Sequence, residues 1–260
     1  MLTKLMRNLL RPFAFRGKAR LLHSLSPKHG KQIVKIFGYK VELDLSDYIQ
    51  RSIYLHTFEL HESAWVRNHL KRGMTFVDVG ANVGYYTLMA ASLVGVEGTV
   101  LAFEPSPYAF GKLMDTIKRN NLPQIQAVQF GLSDSSRELQ LYIPKTEGNH
   151  SPSMVANEGG IPINVPVHRL DDYLKANGID HVDLMKLDGE GYEPNVIRGA
   201  SRYLEEGKIH AILCEFNKVW LEANNVEPFQ LYEEIIRYGY KLENQKPDFN
   251  IGFQNLLFKL

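Results

Sequence analysis

The alternation of apolar and polar positions changes character near residue 74. Before that point, Val41, Leu43 and Leu45 alternate with Glu42 and Asp44, the period of a half-buried strand. The stretches QIVKIF and YKVELDL read as two short strands joined at Gly38. A helix over about 59–71 gathers Trp65, Val66, His69 and Leu70 on one face and ends at Lys71-Arg72-Gly73. Beyond residue 74, short and nearly continuous apolar runs alternate with helix-length segments. Met74–Val79, Thr99–Phe103, Ala127–Leu132, Val182–Leu187 and Ile209–Phe216 read as strands. Tyr85–Val94, Pro107–Lys118, Asn195–Glu205 and Pro228–Tyr238 read as helices. This alternation predicts a parallel sheet with helices on both faces, because parallel strands are buried on both sides.

Two stretches depart from the alternation. Residues 137–170 hold ELQLYI and INVPV around the turn-rich KTEGNHSPSMVANEGG, which predicts an inserted hairpin rather than a crossover helix. Tyr240–Leu242 and Asn255–Leu260 are joined by a polar loop with no room for a helix, which predicts an antiparallel pair. The expected architecture is one doubly wound α/β domain over residues 51–260. It has seven strands, the last antiparallel, in three α/β/α layers, and follows a basic arm with short strands over residues 1–50.

At 260 residues, 44% hydrophobic and 23% charged, the chain buries a sizeable core, which excludes a disordered or low-complexity class. The single cysteine, Cys214, excludes a disulfide scaffold and a cysteine-based zinc site, and fits a reducing compartment. Net charge hides an asymmetry. Residues 1–40 carry ten of the 30 Lys and Arg and no acid, leaving 20 basic against 29 acidic side chains, or −9, in the rest. No apolar run approaches the roughly 20 residues that span a bilayer, and Arg7, Arg11 and Arg16 interrupt every candidate signal core. The expectation is a cytoplasmic protein touching the inner face of a membrane peripherally through residues 1–40. There Leu2, Leu5, Met6, Leu9 and Leu10 interleave with the cations. A solvated helical face or a lid over the site are the competing readings of that arm. No base-stacking motif accompanies its charge, so nucleic acid is not expected as a partner.

Open α/β sheets bind ligands at the carboxyl ends of their strands. The five strand ends here read Asp78-Val79-Gly80-Ala81-Asn82-Val83-Gly84, Glu104-Pro105-Ser106, Ser133-Asp134, Asp188-Gly189-Glu190-Gly191 and Glu215-Phe216-Asn217. Every one carries an acid. Helix dipoles explain one or two such acids, but not a set converging on one edge. Gly80 and Gly84 let the backbone pass close to a ligand, and their spacing is not the G-x-G-x-x-G of dinucleotide sites. Glu104 lies 20 residues beyond Gly84, where a carboxylate accepts both hydroxyls of a ribose.

The segments VDVGANVGYYTL, AFEPSPYAFGKLMDTIKRNNL, GLSD, VPVHRLDDYL and KLDGEGYEPNVIRGA resemble the FkbM family of S-adenosylmethionine-dependent methyltransferases over roughly residues 54–217. The resemblance implies the class I methyltransferase fold, a Rossmann-like doubly wound sheet, and S-adenosylmethionine as cofactor. It implies that Asp78 and Gly80, with Ala81, Asn82 and Gly84, hold the amino-acid part. Glu104, with Pro105 and Ser106, would hold the ribose, and Asp134 with Ser133 the adenine amino group, with Asp188 bordering the same site. A ligand carrying an ammonium, a sulfonium and a diol suits such acids. The family pattern has a bulkier residue where Gly189 stands and often Ala where Tyr192 stands, so the acceptor pocket departs from the family's.

Methyl transfer to a hydroxyl needs alignment and a proton acceptor. The candidates are Lys186, Asp188, Glu190, Glu215 and, among nine histidines, His150 in the loop NHSPSM. Lys186 and Asp188 share a strand face, and a buried lysine needs a partner, so a structural ion pair competes with a catalytic role. His181 and His210 start their strands and fall at the opposite edge. Asp188, Glu215 and Asn217 offer oxygen donors to a cation, but no further ligand accompanies them and no metal is expected. The resulting expectation is O-methylation of a small-molecule or glycan hydroxyl, on a sugar, glycolipid or secondary metabolite. A nicotinamide-dependent Rossmann oxidoreductase and a non-catalytic cofactor-binding scaffold are the alternatives.

Overall fold

The structure, a computed structural model, describes residues 18–144, 152–154, 160–243 and 246–260. His150 and the cations up to Arg16 lie outside the described residues. The chain begins with helix α1 (Lys18–Leu25) and an antiparallel hairpin of β1 (Lys31–Ile36) and β2 (Tyr39–Asp44). Helices α2 (Tyr48–Leu55) and α3 (Leu60–His69) follow. The sequence reading passed over α2, although its start carries a capping signal: the Asp47 carboxylate accepts from the Gln50 amide at 2.7 Å. Val41, Leu43 and Leu45 of the hairpin segment are buried in one cluster with Phe76, Leu88 and Val100. The hairpin and the residues beyond 74 therefore share a core.

The central sheet is built from β3 (Thr75–Val79), β4 (Thr99–Phe103), β5 (Ile125–Val128), β9 (Leu184–Leu187), β10 (Ala211–Asn217), β11 (Lys241–Leu242) and β12 (Phe253–Lys259). Between β5 and β9 lie β6 (Gly131–Leu132), β7 (Arg137–Ile143) and β8 (Ile161–His168). The seven strands lie in the order β11-β12-β10-β9-β3-β4-β5, and β12 runs antiparallel to both of its neighbours. Helices α4 (Tyr85–Val94) and α5 (Pro107–Asn120) follow β3 and β4, and α6 (Leu170–Ala176) precedes β9. Helices α7 (Glu193–Gly199) and α8 (Ser201–Glu205) separate β9 from β10. Helices α9 (Lys218–Ala223) and α10 (Pro228–Arg237) separate β10 from β11. All five residues of β3 are buried, as a central parallel strand requires. This is the expected seven-stranded doubly wound sheet with its last strand antiparallel, the class I methyltransferase arrangement.

Two element readings need correction. Ala127–Leu132 is not one strand. Val128 ends β5 beside Phe103, whereas Gly131 and Leu132 pair with Val167 and His168 of β8. The apolar run persists because the chain passes from one sheet to another, so Asp134 follows a strand of the smaller sheet. Nor is Asn195–Glu205 one helix, since Ala200 separates α7 from α8. The inserted hairpin is present as β7 and β8, and with β6 it makes a three-stranded sheet. Among the described residues, no helix is long and apolar enough to cross a membrane.

Candidate functional site

The strand order reverses at β3, with β4 and β5 on one side and β9 and β10 on the other. The loops leaving β3 and β9 therefore meet, and a cavity opens where they diverge. At Gly80 the backbone has φ +75, and a Cβ there would overlap the Asp188 carbonyl oxygen. The 80–84 loop is held partly by β4 and partly by its own groups. Gly80 and Ala81 donate to the Phe103 carbonyl, Val83 to the Asn82 side chain and Gly84 to the Ala81 carbonyl.

Of the residues the sequence nominated, Gly80, Ala81, Asn82, Glu104, Pro105, Lys186, Asp188, Glu190 and Glu215 line this cavity. Asp78 lies beneath it, 1% exposed, with Oδ2 accepting from Thr87 at 2.6 Å. Ser106 is buried behind Glu104, at the N-cap of α5. Ser133 and Asp134 are outside the lining. Asp134 Oδ1 accepts from Ser133, Ser135 and Arg137, while Ser133 Oγ lies 3.3 Å from the Tyr192 hydroxyl. His181 and His210 flank Asp183 away from the cavity, as expected. Among the described residues no group of acids, histidines and cysteine forms a metal-binding cluster.

Each carboxylate has a distinct environment. Glu104 is buried and accepts from the Asn82 amide at 2.7 Å and the Ser106 amide at 2.8 Å. Burial pushes its carboxyl up to about 7, against the opposing pull of those two amides. The Lys186 ammonium sits 2.6 Å from Asp188 Oδ2 and 4.7 Å from the centre of the Tyr86 ring. Burial alone would lower Lys186, but Asp188, Glu59 and Asp78 outweigh it and hold the ammonium charged. Glu215 is 8% exposed, and its Oε2 is buried without a hydrogen-bond partner. Burial, then the neighbouring Asp188, Glu190 and Glu193, raise its carboxyl well above the ordinary range.

Two acids were missed by the sequence reading. Glu193 is fully buried and accepts from the Gly189 amide at 2.7 Å and the Gly191 amide at 3.2 Å, closing the 188–193 turn. Burial raises it to about 7. Its signal was visible as the last acid of KLDGEGYEP. Glu59 lines the cavity from the turn between α2 and α3 and accepts from the Tyr86 hydroxyl at 2.6 Å. No local pattern marks it, because the contact joins segments 27 residues apart. Burial raises Glu59 to about 7, with Lys186 opposing and Asp188 adding to the rise. The remaining wall is apolar, with Ile49, Ile53, Phe58, Leu132, Leu141 and Met154 among its residues. The ensemble is an acid-rich, half-apolar cleft suited to a cationic ligand with an apolar end.

Residues 78–242 match a family model described as the methyltransferase FkbM domain. The chain is 32% identical to Methyltransferase 1 of Beauveria bassiana, over 47% of this chain and 57% of that protein. It is 27% identical to the hexuronic acid methyltransferase AglP of Haloferax volcanii, over 49% of this chain and 50% of that protein. The chain thus spans about half the length of these curated relatives. A solved structure of Aeropyrum pernix fibrillarin with natively bound S-adenosyl-L-methionine is similar at 12% identity and a TM-score of 0.47. That likeness covers 90% of this chain and 84% of fibrillarin.

Proposed function

The chain belongs to the FkbM-domain methyltransferase family, and from that premise we propose that it moves a methyl group from S-adenosylmethionine to a hydroxyl of a sugar, glycolipid or secondary metabolite. The observation that carries the reading is the acid-lined cavity at the strand-order reversal. Glu104, Glu59, Asp188, Glu190 and Glu215 line it, against Lys186 as the one cation among the described lining residues. A ligand bearing an ammonium and a sulfonium suits that charge. An ionised carboxylate has about four acceptor positions, and Glu104 uses two of them on the Asn82 and Ser106 amides. Two stay open for a ribose diol. The buried Asp78 Oδ1 has no partner, which fits an amino group held above the 80–84 loop. Leu132, Leu141 and Met154 make an apolar end for the adenine, with Ser133 and Asp134 assigned to its rim on the family resemblance.

When bound, the cofactor supplies an electrophilic methyl carbon on a positive sulfur. The chain's own task is to align an acceptor oxygen and take its proton. Lys186, held charged by Asp188, orients rather than accepts. We assign proton removal to the 188–190 turn, through Asp188 or Glu190, with Glu215 facing them from the next strand. The name of the Haloferax volcanii relative, a hexuronic acid methyltransferase, supports a sugar-like acceptor. The ten cations of residues 1–40 suit a peripheral contact with an anionic membrane surface.

The test is calorimetry with S-adenosylmethionine and with NAD, followed by a radiolabelled-methyl screen of sugar, glycolipid and small-molecule pools. Binding of the methyl donor and label transfer to a hydroxyl compound are expected. NAD binding without methyl-donor binding would favour the oxidoreductase, and methyl-donor binding without transfer to any pool would favour the scaffold.

A further inference from the structure

One acid facing the cavity comes from outside the family-matched residues 78–242. We propose that Glu59 belongs to the cofactor site, as the carboxylate that meets a cationic centre of S-adenosylmethionine. The inference rests on the methyl-donor reading above.

Charge balance is the first argument. The carboxylates of Asp188, Glu59 and Asp78 all act on the charge of the one ammonium, that of Lys186. That ammonium is committed to Asp188 at 2.6 Å. The cluster is short of positive charge, and an arriving cation supplies it. Glu215 is a second and separate observation of an incomplete site. It lines the same cavity, is more than nine-tenths buried, and carries a carboxylate oxygen with no hydrogen-bond partner. Burying such groups is costly unless a ligand completes them.

The second argument is the wall around Glu59. Phe58, Tyr85 and Tyr86 line the cavity beside it. The Tyr85 ring meets Phe58 and Tyr86 edge-on, with centroids 5.0 and 5.3 Å apart. The Tyr86 face already holds one cation, Lys186. Aromatic faces beside a carboxylate are the chemistry that recognises ammonium and sulfonium groups. Tyr86 also fixes the carboxylate, because its hydroxyl donates to Oε2 at 2.6 Å. Glu59 itself sits in the left-handed backbone region, at φ 36 and ψ 58. That conformation is uncommon for a residue with a side chain, and it clusters at functional sites.

Calorimetry at pH 8 tests the assignment with two ligands and two variants. S-adenosylmethionine carries both cationic centres, and S-adenosylhomocysteine keeps the ammonium but has a neutral sulfur. Glu59→Gln keeps the shape and the acceptor for Tyr86. It should bind the methyl donor about ten- to a hundredfold more weakly, the worth of one charge-assisted contact. An equal loss with S-adenosylhomocysteine places Glu59 at the ammonium. A loss confined to the methyl donor places it at the sulfonium. Tyr86→Phe releases the carboxylate and should weaken binding about two- to tenfold, an arm that stands if Glu59→Gln does not fold. Circular dichroism melts confirm that each variant is folded. Wild-type affinity in folded Glu59→Gln overturns the assignment while leaving the methyl-donor reading intact. Failure of the wild-type protein to bind the methyl donor overturns both.

Discussion

Replacing Glu104 with glutamine should separate stability from binding. Burial raises the Glu104 carboxyl from 4.5 to about 7. At about 1.4 kcal/mol per pH unit, that rise is worth about 3 kcal/mol of pH-dependent stability. The sign follows from the direction. A carboxyl raised in the folded state contributes stability that is complete below its unfolded value and is lost as pH rises through about 7. Between pH 5 and pH 8 the wild-type protein should therefore lose about 2–3 kcal/mol through this one group. Glu104→Gln removes that loss. It leaves one buried amide, of Asn82 or Ser106, facing an NH₂ group, at a cost of about 1–3 kcal/mol. The variant should be less stable than wild type at pH 5 and close to it at pH 8. Glu59 and Glu193, also raised to about 7, are present in both proteins and cancel in the comparison. Urea unfolding at the two pH values measures the difference. Calorimetry with S-adenosylmethionine should show binding weakened by about 1.5–3 kcal/mol, the worth of a charged acceptor to the ribose. Parallel pH profiles in the two proteins would refute the raised carboxyl, and unchanged affinity in the variant would move the ribose elsewhere.

Three further outcomes are expected. Gly80→Ala should destabilise the protein by about 2–4 kcal/mol, because it combines a left-handed backbone with overlap on the Asp188 carbonyl; denaturant unfolding within 0.5 kcal/mol of wild type, roughly the scatter of a surface change, would contradict that close approach. Asp188→Asn or Glu190→Gln should lower single-turnover methyl transfer by ~10²–10⁴-fold in at least one case, as loss of a general base does, and near wild-type rates in both would remove the 188–190 turn from proton transfer. Replacing Lys4, Arg7, Arg11 and Arg16 with glutamine should abolish sedimentation with anionic vesicles at low salt; equal sedimentation of both proteins would rule out a membrane role for these cations.

The sheet was legible wherever one strand stays in one sheet. β3, β4 and β9 are buried on both faces, so their apolar runs carried both position and extent. The run at 127–132 misled because burial is the same whether Leu132 pairs with a strand of the central sheet or with β8. Apolar periodicity reports that a residue is inside, not which sheet it joins. The site divided along the same line. Glu104, Asp188 and Glu215 were found because sheet topology carries strand ends to one edge. Glu59 reaches that edge from a turn between two helices, through its contact with Tyr86. Such a long-range pairing leaves no trace in local spacing. The role of Glu193 in closing the 188–193 turn became readable only from the amides it accepts.

The position of β12 has a consequence for biosynthesis. It lies between β10 and β11 and pairs with residues about forty positions earlier in the chain, Ala211 with Lys259 and Asn217 with Phe253. A nascent chain that has emerged only as far as β11 therefore leaves the backbone groups along one edge of β10, Ala211–Asn217, without their β12 partners. Such edges recruit other chains, and pairings this distant in sequence form slowly. Vectorial synthesis thus delivers β3 and β4 early but leaves the strand bearing Glu215 unsealed until the segment at 253–259 has left the ribosome. Ribosome-bound intermediates halted between β11 and β12 should be an aggregation-prone species of this protein, and the cavity should become competent only once β12 has inserted.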